Sequence, residues 1–114
     1  MIAVIFEFWP NADRAAEYFE IAAALRTHLE KIDGFISIER FESLTTQGKV
    51  LSLSFWRDED AVRHWRNLEE HRSAQASGRG GIFDNYRLRV ASVLRDYGMH
   101  ERREAPADSR DMHG

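Results

Sequence analysis

Between Phe55 and Arg79 the chain sets large aromatic rings beside groups that can move protons or hold anions: Trp56, His64, Trp65, His71, Arg72 and Gln75. An imidazole titrates near neutrality and can serve as a general base. Guanidinium and amide groups donate hydrogen bonds to a developing oxyanion. Tryptophan faces suit the wall of an apolar slot for a small molecule, although the same rings also suit a dimer seam. A metal site is a poorer fit. On one continuous helix over 61–75, His64, Leu68, His71 and Gln75 share a face. His64 and His71 then stand about 10 Å apart along the axis, too far to hold one ion. The i, i+4 histidine pair that binds zinc is absent, because position 68 is leucine and position 75 glutamine. His28 falls late in the first predicted helix, where an imidazole suits the helix dipole. His100 and His113 fall in the tail.

Composition bounds what these groups can belong to. At 114 residues the chain is long enough for one domain with one core. Its net charge of −3, with no basic stripe beyond an arginine-rich last strand, argues against nucleic acid as a partner. The absence of cysteine removes disulfides, thiolate metal sites and a cysteine nucleophile. The apolar start, Met1 to Trp9, lacks a basic leader and is too short to span a bilayer, so a cytoplasmic protein is expected, with no membrane partner.

The elements that must position the site follow from periodicity. Residues 2–9 read as a strand stopped by Pro10. Asn11 or Asp13 can cap a helix running to about Lys31, on which Tyr18, Ile21, Ala22, Leu25, Leu29 and Ile32 make an apolar stripe, and Gly34 ends it. Residues 35–43 alternate as a strand, with Phe35, Ser37, Glu39 and Phe41 on one side. Residues 45–48 turn, and 49–56 form a third strand. Residues 58–79 are helical, with a break expected near Asn67 and closure at Gly78, Gly80 and Gly81. Residues 85–96 form a fourth strand. The order βαββαβ predicts an α+β, ferredoxin-like domain over 1–97, two helices on one face of a four-stranded antiparallel sheet, followed by a charged C-terminal tail over 98–114 that is mobile or draped on a partner.

A sheet covered on one face should be polar on the other. Here both rows of the first strand are apolar: Ile2, Val4, Phe6 and Phe8 on one, Ala3, Ile5 and Trp9 on the other, interrupted only by Glu7. The third strand repeats this with Leu51, Leu53 and Phe55. Two helices can bury one row, and a second copy of the sheet is the expected cover for the other, making a homodimer. Arg87, Arg89 and Arg95 of the last strand are expected to be solvated or ion-paired.

The element order, the Phe55-Trp56 strand end, Trp65, the run His71-Arg72-Ser73-Ala74-Gln75-Ala76-Ser77-Gly78-Arg79 and the segment Tyr86-Arg87-Leu88-Arg89-Val90 resemble the antibiotic biosynthesis monooxygenase family over about residues 1–97. The resemblance implies a dimeric α+β barrel with a pocket between sheet and helices in each subunit. It implies, too, a family that includes cofactor-independent quinol or phenol monooxygenases, haem-degrading oxygenases and proteins of no assigned reaction. The haem-degrading branch pairs a first-strand asparagine with a second-helix tryptophan and a histidine ligand about ten residues on. Trp65 matches the tryptophan, but the ligand position is Gln75 and the first-strand position is Glu7 or Phe8. No cofactor is therefore expected, with haem binding through a displaced His71 as one alternative and a non-catalytic ligand-binding or stress-response dimer as another. The expected reading is a cofactor-independent monooxygenase acting on a small aromatic quinol or phenol. Phe6, Trp56, Trp65, His64, Phe83 and Tyr86 line the pocket, His71 is the base, and Arg72, Gln75 and Tyr86 orient the substrate or hold an oxyanion.

Overall fold

In a computed structural model, which describes the backbone of residues 1–77 and 82–113 and the side chains of 1–68 and 82–113, the elements run β1 (Ile2–Pro10), α1 (Ala15–Leu29), β2 (Phe35–Glu42), β3 (Val50–Trp56), α2 (Glu59–Ser77), β4 (Phe83–Ser92) and α3 (Ala107–His113). The sheet is four-stranded in the order β2-β3-β1-β4, and every pairing is antiparallel. This is the predicted ferredoxin-like arrangement, in which the two central strands are the most apolar ones.

The register divides the sheet into two faces. On the helix-covered face, cross-strand rows run Leu88–Phe6–Ser52–Arg40 and Val90–Val4–Ser54–Ile38. The helices supply Tyr18, Ala22, Leu25 and Leu29 from α1 and Ala61 and Val62 from α2, all buried. The opposite, open face carries Ile5, Leu51, Leu53 and Phe55 at its centre, each partly buried within the chain itself.

Several local readings change. β2 does not keep one alternation, because an irregularity between Phe35 and Ser37 turns Phe35 to the helix side, where its ring packs edge-on against Trp56 at 5.2 Å. Neither expected cap starts α1. Asn11 spends its side-chain oxygen on the Asp13 amide at 3.0 Å, the N-cap is Arg14 with no side-chain cap bond, and the helix ends at Leu29. α2 is continuous across Asn67, and Asp58 caps it by accepting the Ala61 amide at 3.0 Å. β4 begins two residues early, at Phe83, because a register shift between Trp9 and Pro10 lets Pro10 pair with it, and it ends at Ser92 rather than near Asp96. The tail contains a helix, α3.

Gly34 is where the fold is least tolerant of a side chain. Its φ is +95°, its carbonyl accepts the Arg57 amide at 2.7 Å, and an added Cβ would lie 2.9 Å from that of Ala61, which is buried in the first turn of α2. Both the backbone and the packing oppose Gly34→Ala. We expect it to lower stability by about 2 kcal/mol or more in urea unfolding, with an unchanged m-value.

Candidate functional site

The helix-covered face is not covered evenly. On β1, Val4, Phe6 and Phe8 are buried, but their neighbours on β4, directly across the ladder, are open: Tyr86 is 60% exposed, Leu88 43% and Val90 44%. Three apolar side chains in a row, on the face where the helices pack, form an open apolar strip along β4. Phe6 is its inner edge. At one end stands an aromatic wall in which Phe83 meets Phe6 at 5.6 Å, Phe8 at 5.3 Å and Tyr18 at 5.2 Å, and Tyr86 meets Phe6 at 5.7 Å. Rings at these separations and tilts hold one another in place. The Tyr18 hydroxyl lies 3.5 Å from the Nε of Arg40 on β2, so this wall has a polar far side away from the strip.

The rings expected to form one slot fall into two clusters. Phe6, Phe83 and Tyr86 belong with Phe8, Tyr18, Ala22, Val50 and Ile82. Trp56 and Trp65 belong with Val4, Leu29, Ile38, Ala61 and Val62. Trp56 is 0% exposed, and its indole N–H donates to the buried Ser54 hydroxyl at 2.9 Å. It is an interior residue that backs Trp65, whose ring lies 5.7 Å away. His64, beside Trp65, is exposed. The side chains of His71, Arg72 and Gln75 lie outside those described. Their positions are helical, since α2 runs to Ser77. Leu88 and Val90 were missing from the sequence-derived pocket. The register of β4 with β1 was the signal that could have found them: it places them beside Phe6 and Val4. Among the described residues, no group of three His, Cys, Asp or Glu side chains could hold a metal ion, and no helix is long and apolar enough to cross a membrane.

The open face has its own polar centre. Glu7 lies 3.5 Å from Lys49 and 3.3 Å from Arg89, and Lys49 also sits over the Trp9 ring at 5.2 Å. Partial burial pulls the Glu7 carboxyl up, but Lys49 and Arg89 together outweigh it and hold it below the ordinary carboxylate range. At the sheet end, Arg57 grips Asp33 through two bonds of 3.0 and 3.1 Å and Asp58 through one of 3.1 Å. The Asp33 carboxyl is lowered chiefly by its bonds to Arg57. That of Asp58 is lowered first by the Ala61 amide and then by Arg57. All three carboxylates therefore titrate lower in the folded chain than in the unfolded one. Their stabilisation is present above the ordinary values of 3.8 for aspartate and 4.5 for glutamate, and is lost as pH falls through the folded values. The urea midpoint should thus be level from neutrality to about pH 5 and fall below it, and Asp33→Asn should flatten that fall.

The chain matches the model of the antibiotic biosynthesis monooxygenase family over residues 1–77. It is 43% identical over 113 residues to a Pyricularia oryzae protein named jasmonate monooxygenase ABM, covering 98% of this chain and 53% of that one, so it spans about half the length of that relative. It is 31% identical over 93 residues to the uncharacterised Bacillus subtilis protein YqjZ, covering 82% of this chain and 79% of that one. In fold it resembles the solved structure of Rv0793 from Mycobacterium tuberculosis, with a TM-score of 0.70 at 21% identity over 85% of this chain and 98% of that one.

Proposed function

The chain belongs to the antibiotic biosynthesis monooxygenase family, and on that premise we propose that it oxygenates a small, electron-rich ring compound, a phenol or quinol, without a bound cofactor. The observation that carries this reading is the open apolar strip along β4: Leu88 and Val90, edged by Phe6, beside the aromatic wall of Phe83 and half-open Tyr86. Such a surface takes up a flat apolar ring and holds its face against rings of matching size.

The electron balance favours this substrate class. Conversion of a ring methylene to a carbonyl, R₂CH₂ + O₂ → R₂C=O + H₂O, draws all four electrons from the substrate and needs no further reductant. A base removes the acidic proton, the carbanion passes an electron to O₂, the radical pair closes to a peroxide, and loss of water leaves the carbonyl. The protein has to supply an apolar slot, a base and donors for the negative charge. We assign the base to His71 and the donors to Arg72 and Gln75, all on α2. A second copy of the chain covers the open face, since Ile5, Leu51, Leu53 and Phe55 otherwise have only one another.

One observation favours a second substrate class. The fungal relative carries jasmonate in its name, a cyclopentanone carboxylic acid rather than an aromatic compound. Hydroxylation of such a molecule at a saturated carbon, RH + O₂ + 2e⁻ + 2H⁺ → ROH + H₂O, needs two electrons from outside. An oxygen electrode separates the readings. With a naphthol, anthrone or quinol alone, we expect O₂ uptake equal to product formed, and one atom of ¹⁸O₂ in the product. In His71→Ala that activity should fall and its acid limb, set by protonation of the imidazole, should disappear. Uptake with jasmonate, dependent on an added reductant, would transfer the assignment to the second class. No uptake with either panel would overturn both.

A further inference from the structure

The chain after β4 does not fold back onto the body. The radius of gyration is 16.7 Å, against about 13 Å for a compact domain of this length, and the longest dimension is 54 Å. Yet residues 94–113 are built. Arg102 stacks over the Tyr97 ring at 5.4 Å, donates to the Gly98 carbonyl at 3.2 Å and bonds the Ser109 hydroxyl at 2.8 Å. Arg110 ties down the carbonyls of Ala105 and Arg103 at 2.8 and 3.2 Å, and Ala105 between them is buried. α3 itself buries no residue, and a seven-residue helix with nothing to pack on is not stable in water. The same segment holds out Leu94, Met99 and Met112 at 83, 82 and 77% exposure. A groove of ≈ 650 Å³ separates its root from Met1, lined by Asp96, Tyr97, Gly98, Glu101, Arg103 and Glu104.

We propose that residues 94–113 are an arm that docks on a second copy of the chain, its root groove taking up cationic side chains from that copy's open sheet face. Charge identifies the occupant. The groove sets three carboxylates against one guanidinium, and Glu101 already pairs with Arg103 at 3.1 Å. The open face supplies the complement: Lys49, Arg87 and Arg89 share it, with Glu7 the acid between two of them and Glu39 further off on β2. The arm leaves the body beside that face, where Val93 donates to the Met1 carbonyl at 3.0 Å, so one contact continues into the other. The match to the fungal relative covers 98% of this chain and so reaches into the arm, which belongs to the shared unit rather than to a divergent end.

This inference rests on the pairing of two copies proposed above, and the test tells the two apart. The chain has no native cysteine, so a nitroxide can be placed on the exposed position of Met112→Cys. The spin-labelled chain, without isotope, is mixed with ¹⁵N-labelled chain that carries no spin label. A docked arm broadens amide signals on the ¹⁵N chain at β1 and β4, with intensity losses of more than half. Glu104→Lys should weaken dimerisation about tenfold, and mixing it with Arg87→Glu should restore a mixed pair. A chain that sediments as a monomer at every concentration removes the pairing and the arm together. A stable mixed dimer in which the label leaves every amide signal of the ¹⁵N chain unbroadened overturns the arm and leaves the pairing intact. A dimer unaffected by Glu104→Lys overturns the assignment of the groove.

Discussion

Trp56→Ala is expected to lower stability by about 3–5 kcal/mol, the range for emptying a large aromatic site in a packed core. Trp56 has no exposed surface and sits among Val4, Leu29, Ile38, Ala61 and Val62, with Phe35 edge-on at one side and Trp65 tilted at the other. These neighbours come from β1, α1, β2 and α2, and Trp56 is the last residue of β3. No single element can shift to close the cavity without breaking contacts to the others. Against a total of about 5–15 kcal/mol for a domain of ordinary stability, the loss is a large fraction of the whole. The indole N–H adds a second effect that can be isolated. Trp56→Phe keeps much of the volume but leaves the buried Ser54 hydroxyl without its partner, so it should cost about 1–2 kcal/mol beyond the volume change. Adding Ser54→Ala to Trp56→Phe should recover part of that, because both ends of the bond are then gone. Urea midpoints at one chain concentration, assembled into a double-mutant cycle, measure it. Additive costs would mean that the Trp56–Ser54 bond contributes nothing to the fold.

The same residue shows what the sequence could and could not convey. That 50–56 is a buried strand is legible in its alternation, and so is the βαββαβ order, because the apolar periods of β1, α1, β3 and α2 differ clearly. Trp56 reads equally well as a pocket wall or as core. Which it is depends on the rows beside it, and above all on Phe35 crossing to the helix side at an irregularity that no periodicity announces. Asn11 looks like a helix cap because its side chain is suited to one, but it is spent on a turn and on Asp84, 73 residues away. The order of the tail is set by Arg102 and Arg110 reaching backbone carbonyls and a serine, bonds with no compositional signature. For the candidate site, the sequence offers the rings but not how they partition. Phe6, Phe83 and Tyr86 come together, whereas Trp56 and Trp65 form a separate cluster. Leu88 and Val90 look like any core row until their exposure on the helix-covered face is seen.

Arg72→Ala is expected to lower kcat by about 10²–10³ with little change in KM, the effect of removing one donor from a developing oxyanion. α2 runs unbroken to Ser77, and seven residues on a helix return within about 20° of the same azimuth. Position 72 therefore repeats position 65, and Trp65 is the α2 ring that packs inward against Trp56. Position 71 repeats position 64, and His64 is exposed. On the proposed function, position 72 carries the guanidinium that meets the charge building on the peroxide, and position 71 the imidazole that exchanges its proton with water between turnovers. Because the donor acts on charge absent from the ground state, kcat should suffer and KM should not. Arg72→Lys keeps the charge but loses the planar fork, and should recover about a tenth of the lost rate rather than all of it. Steady-state O₂ uptake, with unchanged urea midpoints to show intact folding, checks each variant. If Arg72→Ala stays within about twofold of the parent, Arg72 is not the oxyanion donor, and a hundredfold loss in His71→Ala then leaves only the assignment of the base standing.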